Sequence, residues 1–428
     1  MIHLIKKFKI AGLLALSALV FYTSSCNKDL EQFTEPVISN AGTLTLTEAI
    51  AADPDNSLYN ALLAKSGMAP LFSDKASLFT MFVPVNSGMK LFINVISGGL
   101  VDINSPDAVF TGFISANIPA ATAAALISYN TIPQKVTSGQ VPTIFPNYEY
   151  PTILNPTGTS TTAGFNPFAR LTTFPSRRGT TLWVDNIPVT AIDIPVVNGV
   201  IHKIAVLVAP PTKYLWDDIA ASTDLTYLKA AIIRADSGVA VAGRIQTALS
   251  SFGANLTVLA PTDLAFKQTL TGAITQALIP VVTAQLIAFG LTPAAAAAQA
   301  PAVAFAQASA LASSPGVFTN PALFSALTAQ TVRGIVVYHV LSAQTAPFFP
   351  PGVRIFSVNI PATPTTVKTL LNSSPLAALH PGLSVQATGT GITVKGAANA
   401  TPSNIIFPAD RNALNGVLHK VDQVLLPL

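Results

Sequence analysis

One phrase occurs twice in this chain. Asn198-Gly199-Val200-Ile201-His202-Lys203-Ile204 runs on to Pro210, and Asn415-Gly416-Val417-Leu418-His419-Lys420-Val421 runs on to Pro427. Asn-Gly is turn chemistry, because both residues tolerate positive φ, and the apolar run behind it reads as a strand that the proline closes. Two copies mean two similar domains laid end to end, and 428 residues leave room for both.

Half of the chain is hydrophobic and 10% is charged, against roughly 25% charged in an average soluble domain. Charge-driven disorder is excluded and a substantial core is easily buried. The net charge of +4 does not point to nucleic acid. Lys6, Lys7 and Lys9 lie at the extreme N-terminus, and without them 20 basic side chains face 19 acidic ones. No basic stripe remains to neutralise phosphates, so no nucleic-acid partner is expected.

Residues 1–25 read as a targeting segment. The three lysines form a positive n-region, and Ile10 to Tyr22 is an apolar h-region too short to span a bilayer comfortably. Thr23, Ser24 and Ser25 then precede Cys26, the only cysteine. The arrangement resembles a bacterial lipobox, with Thr23 where leucine is usual. It implies an acylated Cys26 and a membrane partner reached through acyl chains rather than a spanning helix. The alternative is a lone thiol behind an ordinary signal peptide. Residues 26–43 read as a tether. Asn27-Lys28-Asp29-Leu30-Glu31 resembles the surface-export signal of lipoproteins in one group of Gram-negative bacteria. The expected location is the outer membrane and its exposed face, although a plain solvated tether fits as well.

The domains are expected at 44–211 and 212–428. Leu46, Ile50, Leu58, Leu62 and Leu63 have helical spacing, and a strand follows from Leu78 to Pro84-Val85-Asn86. The second half matches, with Leu225, Leu228 and Ile232 before a strand from Leu256 to Pro261-Thr262-Asp263. Thr262 or Asp263 would cap the next helix. A third shared mark is Tyr129-Asn130 in the first half and Tyr338-His339 in the second.

These marks together resemble the fasciclin domain: an apolar strand closed by Ala-Pro-Thr-Asp, a Tyr-His element and a terminal Asn-Gly-Val-Ile/Leu-His strand. The match is close in the second copy. It is looser in the first, where Val85 and Asn86 replace Thr-Asp and Asn130 replaces His. The resemblance implies an α+β fold of two tandem fasciclin-like domains, each a twisted β-wedge packed with helices. It also implies adhesion, with the motifs around Pro84, Pro261, His202 and His419 as contact regions.

Two stretches set the copies apart. Between Pro261 and Tyr338 the second copy carries extra residues, Ala-rich at about 285–315. Helix is the default there. Pro293, Pro301 and Pro315 should cut it into short pieces, packed on their own domain rather than crossing a membrane. In the first copy, about Val141 to Asp185 reads as a loop with six prolines. It carries aromatics, among them Tyr148, Tyr150 and Trp183, interleaved with Arg170, Arg177 and Arg178. These aromatics either stack on sugar rings or anchor a partner, or they pin the loop to its own domain.

Alternation places Val200, His202, Ile204, Val206 and Val208 on one strand face, and Val417, His419 and Val421 on another. Each histidine thus sits among apolar neighbours and is expected to be buried, neutral and hydrogen-bonded, as a strut. His339 is a third candidate, but a zinc site needs further ligands. Only His380 remains in the mature chain, and Cys26 is assigned to lipid. No metal and no cofactor are expected. There is no Gly-x-Ser-x-Gly elbow and no close carboxylate pair. Gly389-Thr390-Gly391 leads into Ile392-Thr393-Val394 and reads as a hairpin turn, not a dinucleotide loop. The expectation is therefore a non-enzymatic, lipid-anchored envelope protein that binds matrix, surface polymer or protein. The alternative is a glycan-capturing accessory of an outer-membrane uptake system, carried by the aromatic stretch from Phe145 to Trp183.

Overall fold

Two sheets built to one plan organise the computed structural model, which describes residues 42–146, 148–158, 160–341, 354–373 and 382–427. Cys26, the tether to residue 41 and His380 lie outside the described residues. The first lobe contributes strands β1 (Phe79–Pro84), β2 (Thr131–Ile132), β3 (Tyr150–Pro151), β4 (Thr172–Thr173), β5 (Pro175–Arg178), β6 (Thr181–Val184), β7 (Ile187–Val196) and β8 (Gly199–Ile204). Six of them hydrogen-bond in the order β2-β1-β8-β7-β6-β5, and β3 pairs with β4 alone. The second lobe has β9 (Leu256–Pro261), β10 (Val340–Leu341), β11 (Thr365–Val367), β12 (Leu383–Thr388), β13 (Gly391–Lys395), β14 (Ser403–Ala413) and β15 (Gly416–Val421). Their order is β10-β9-β15-β14-β13-β12-β11.

The shared centre is a parallel pair flanked by antiparallel partners. β1 runs beside β8 with Phe79 opposite Gly199 and Pro84 opposite Ile204, and β9 runs beside β15 with Leu256 opposite Gly416 and Pro261 opposite Val421. Strands buried on both faces read as continuous apolar runs, and every residue of β1 and β9 is buried. Equivalent positions differ by 217: His202 and His419, Asn198 and Asn415, Gly199 and Gly416. The fold is α+β, with two tandem fasciclin-like lobes.

Helices cover one side of each sheet. The first lobe has α1 (Leu46–Ala52), α2 (Ser57–Ser66), α3 (Ala69–Ser73), α4 (Asn86–Ile96), α5 (Asp107–Asn117) and α6 (Ala120–Tyr129). The second has α7 (Leu215–Ala221), α8 (Thr226–Ala235), α9 (Ile245–Leu249), α10 (Asp263–Ala288), α11 (Pro293–Leu311) and α12 (Ala329–Tyr338). Ile201 packs toward the helices with Leu62, Ile93 and Ile127. Ile204 packs on the opposite side with Tyr129 and Leu182.

Four expectations need correction. The terminal strand does not run to Val208: β8 ends at Ile204, and the chain continues irregularly. The proline-rich stretch from 141 to 185 is not all loop, since β5 and β6 belong to the sheet. Pro175 is tolerated because it opens an edge strand. The Ala-rich insertion is not cut at Pro301, although α11 does begin at Pro293 and end before Pro315. α10 passes through Pro280 and α11 through Pro301, giving helices of 26 and 19 residues. Ala296, Ala300, Ala304 and Ala308, spaced by four, are all buried, and this seam holds the helix on both sides of Pro301. Nor does the pair lie flat on its lobe. Only the start of α10 and the end of α11 join the lobe core, whereas Val282, Ala300 and Ala304 form a separate cluster.

The two lobes meet through the first lobe's aromatic stretch. Phe145 packs against the second lobe's cluster around Leu259 and Tyr338. Phe174 meets Phe356 at 5.6 Å between ring centres, with Val417 beside them. Phe252 and Leu414 reach back into the first lobe's core. The aromatics therefore pin the neighbouring lobe as well as their own.

Candidate functional site

The repeated histidines are struts in both lobes, built by a bulge that the sequence reading missed. His202 and His419 are each 1% exposed. Nε2 of His202 lies 2.9 Å from the carbonyl of Val136, and Nε2 of His419 lies 2.6 Å from that of Ile355. A carbonyl only accepts, so Nε2 carries the proton and Nδ1 must accept. It does so from the backbone N–H of Asp193 at 3.2 Å and of Asp410 at 3.3 Å. Both aspartates have left-handed backbone, φ 56° and 62°, and sit where β7 and β14 lose register against their partners. Each carboxylate accepts from the N–H and hydroxyl of one serine, Ser138 or Ser357. Burial pushes both imidazole pKa values down, although the Asp410 carboxylate, 3.8 Å from the His419 ring, opposes the shift. The available signal was an aspartate nine residues before each histidine.

The Asn-Gly pair ties the same strand to the helices. Oδ1 of Asn198 accepts from the first N–H of α1, at Leu46, and its amide donates to the carbonyls of Phe72 and Asp74. Asn415 repeats this with the N–H of Leu215 and the carbonyls of Ala248 and Leu249. The glycines are required by contact. A Cβ on Gly199 would lie 1.9 Å from the carbonyl oxygen of Phe79, and one on Gly416 would lie 2.2 Å from that of Leu256.

The residues after Pro84 and Pro261 are caps. Thr262 accepts from the N–H of Ala265 at the start of α10, and the Asp263 carboxylate accepts from the N–H of Tyr227 and the hydroxyl of Thr226. Asn86 takes the equivalent place, accepting from the N–H of Leu58.

At the Tyr element the lobes diverge. Nδ1 of His339 donates to the carbonyl of Ile335, and Nε2 accepts from the N–H of Leu425. Asn130 instead donates to the carbonyls of Leu126 and Val208. Its own Oδ1 is buried with no partner among the described residues. Burial lowers the His339 pKa to about 4. The hydroxyl of Tyr338 donates to the Gly382 carbonyl and accepts from the Ala397 N–H.

Tyr129 instead joins a buried polar chain that crosses between lobes. Arg354 is 3% exposed and donates to Oδ1 of Asn255, Oδ1 of Asn412 and the carbonyls of Ala413 and Leu414. Asn412 donates to the Tyr129 hydroxyl at 3.1 Å, which donates to the Asp185 carboxylate at 3.2 Å. The Asp185 carboxylate also accepts from the Phe174 N–H. Glu149 accepts from Asn255, closing a second link between lobes. Burial pushes the Asp185 carboxyl up to about 6 against the pull of its N–H bond and the Arg354 charge, and it raises Glu149 too.

Of the two readings of the aromatic stretch, pinning to the fold is the one that Tyr150 and Trp183 follow. Tyr150 is buried at 7% exposure, Trp183 is half-buried on β6, and only Tyr148 is exposed, edge-on to Tyr150. Tyr150 and Trp183 are held there because they belong to paired strands. Among the described residues no three or more His, Cys, Asp or Glu side chains converge as a metal would require. A cleft of about 560 Å³ opens beside the β14 bulge, between Phe407, Arg411 and Lys420. Lys420 is already held there by Asp224 at 2.7 Å.

Comparison with known proteins gives one family match: residues 54–210 match the fasciclin domain. No curated protein matches the sequence. Among solved structures, a FAS1 domain pair from the insect cell adhesion molecule Fasciclin I is similar, with a TM-score of 0.30 and 13% identity. The match covers 86% of this chain and 96% of that one. The second lobe, outside that match, repeats the sheet order of the first and its His, Asp, Asn and Gly positions.

Proposed function

We propose that this protein is a lipid-anchored component of the cell envelope. It is held by acyl chains on Cys26 and binds matrix, surface polymer or another protein without covalent chemistry. Fasciclin domains are generally linked to adhesion or binding. The observation that carries the reading is where the repeated motifs place their polar groups. His202, His419, Asn198, Asn415 and Asp263 all bond within the fold. Partner contact is thereby left to exposed surface outside the repeated motifs, such as that around Tyr148 and Phe168 in the first lobe.

The test compares cells that display the full chain with cells that carry Cys26→Ser. Display should raise retention on immobilised matrix or surface polysaccharide, and a roughly tenfold rise in salt should change it little, since few charges are involved. Cys26→Ser should abolish both fatty-acid labelling and retention. Equal retention in both strains would remove the reading.

A further inference from the structure

The α10–α11 hairpin has no counterpart in the first lobe and is the least charged part of the molecule. Between Lys267 and Arg333 the sequence contains no Asp, Glu, Lys, Arg or His. α10 is long and apolar enough to cross a membrane by length and composition, yet only 17% of its most apolar window is buried. A core helix of a water-soluble lobe would be buried along its most apolar window, and this one is not.

The hairpin divides in two. From Asp263 to Thr275, α10 lays Ala265, Phe266, Leu270 and Ile274 into the lobe core. Beyond Thr275 the only buried side chain of α10 is Val282, which meets Ala300 and Ala304 of α11. The connection at the far end is Phe289-Gly290-Leu291-Thr292, with φ +93° at Gly290 and Phe289 84% exposed. Val281, Ile287 and Phe305 are also exposed, at 50%, 42% and 57%. The free arm from Gln276 to Ala288 is about 20 Å long at 1.5 Å per residue. That exceeds one leaflet of a hydrocarbon core roughly 30 Å thick and falls short of the whole.

The arm's interior also suits an apolar medium. The hydroxyls of Thr275 and Thr283 donate to the carbonyls of Thr271 and Ile279 one turn earlier, so neither needs water. The Ala seam of α11 brings the helices together through small side chains, the packing that membrane helices use where no hydrophobic effect drives them together. Proline within a helix, as at Pro280 and Pro301, is also more frequent in membrane helices than in soluble ones.

We propose that the tip of this hairpin, centred on Phe289, inserts into one leaflet of a lipid bilayer. It would be a membrane contact of the second lobe, separate from any acyl chain on Cys26. The absence of charge along the arm and a length sufficient for one leaflet but not for both favour lipid as the occupant. A protein partner or a second copy of the chain would instead bury a face carrying at least a rim of polar and charged groups.

The test uses the full chain with Cys26→Ser, so that a single new cysteine takes an environment-sensitive fluorophore. Phe289→Cys reports the tip. Phe168→Cys, an equally exposed aromatic position (90%) in the first lobe, is the control. With vesicles of phosphatidylethanolamine and phosphatidylglycerol, the tip probe should shift to the blue, brighten severalfold and be quenched by nitroxide lipids, while the control stays unchanged. Ile287→Asp in the labelled tip chain should abolish the response without loss of helical circular dichroism. No shift at the tip, or equal shifts at both positions, overturns the proposal. A shift that needs no vesicles and grows with protein concentration also overturns it, because a second copy would then cover the tip.

Discussion

The two lobes share a frame and differ in what they hang on it. In both, an asparagine ties the last strand to the helices, a glycine lets two strands touch, and a histidine bridges a bulge to a neighbouring backbone carbonyl. The first lobe spends its extra residues on strands and aromatics that grip its neighbour. The second extends a helical hairpin away from its core. The shared positions are those where a backbone group would otherwise be buried unpaired. Apart from the buried exchange of His339 for Asn130, divergence lies where the chain faces solvent or the other lobe.

If the frame is equivalent in both lobes, damaging it at one place should unfold that lobe first. The largest effect is expected from Gly199→Ala and Gly416→Ala. The new Cβ would press on a backbone oxygen of the central parallel partner at 1.9 Å or 2.2 Å, which only a shift of that strand relieves. Each should cost about 4 kcal/mol or more, with Gly199 the worse because its φ of +152° is also disfavoured for other residues. Each lobe holds one of the two tryptophans, Trp183 and Trp216. Urea unfolding followed through Trp183→Phe and Trp216→Phe backgrounds reads the lobes separately. Equal loss in both lobes from either glycine would break the comparison.

Next in size is Arg354→Leu at the junction. It leaves the side-chain oxygens of Asn255 and Asn412 and the carbonyls of Ala413 and Leu414 without their donor. At roughly 1–3 kcal/mol for each stranded group, partly relieved by relaxation, the cost should be about 3–4 kcal/mol. The two tryptophan transitions, expected to coincide in the wild type, should separate. Transitions that stay coincident would mean that the remaining contacts, the aromatics around Phe145, Phe174 and Phe356 and the Glu149–Asn255 bond among them, suffice to couple the lobes.

The sequence was most legible where local chemistry and the fold agree. The strands behind the Asn-Gly pairs, the cap at Thr262 and the burial of both histidines followed from residue type and alternation. The turns, however, proved to be Val197-Asn198 and Leu414-Asn415, with no positive φ at either asparagine, and Asp263 caps the start of α8 instead of α10. The bulges at Asp193 and Asp410 did not follow, because the repeated Asp-to-His spacing by itself does not say that the aspartate takes a left-handed backbone inside a strand. Tyr150 and Trp183 were misplaced for a related reason. Prolines suggested a loop, but pairing to β4 and β5 turned the chain inward. Pro301 misled similarly, since the Ala seam that holds α11 together depends on α10 lying beside it. The Arg354–Asn412–Tyr129–Asp185 chain was out of reach, because its members are far apart in sequence and its central Asn412–Tyr129 bond forms only where the lobes meet.

The smallest effects sharpen the comparison by sign. His339 has its pKa lowered to about 4 from 6.5, so its contribution is present above pH 6.5 and lost as pH falls toward 4. By linkage this is about 3 kcal/mol at most. His419 shifts in the same direction, so the second lobe holds two such rings against His202 alone in the first. Acid should therefore loosen the second lobe first. Asp185 works oppositely. Its pKa rises to about 6 from 3.8, so its contribution is present below pH 3.8 and lost as pH rises through 6, by up to about 3 kcal/mol. His339→Asn, which installs the residue the first lobe carries at Asn130, should flatten the acid loss seen through Trp216. Asp185→Asn should remove the opposing slope and steepen the net acid loss of the whole molecule. If stability through Trp216 still falls as steeply between pH 6.5 and 4 in His339→Asn, the acid sensitivity lies with His419 and its Asp410 neighbour rather than with the Tyr-His element.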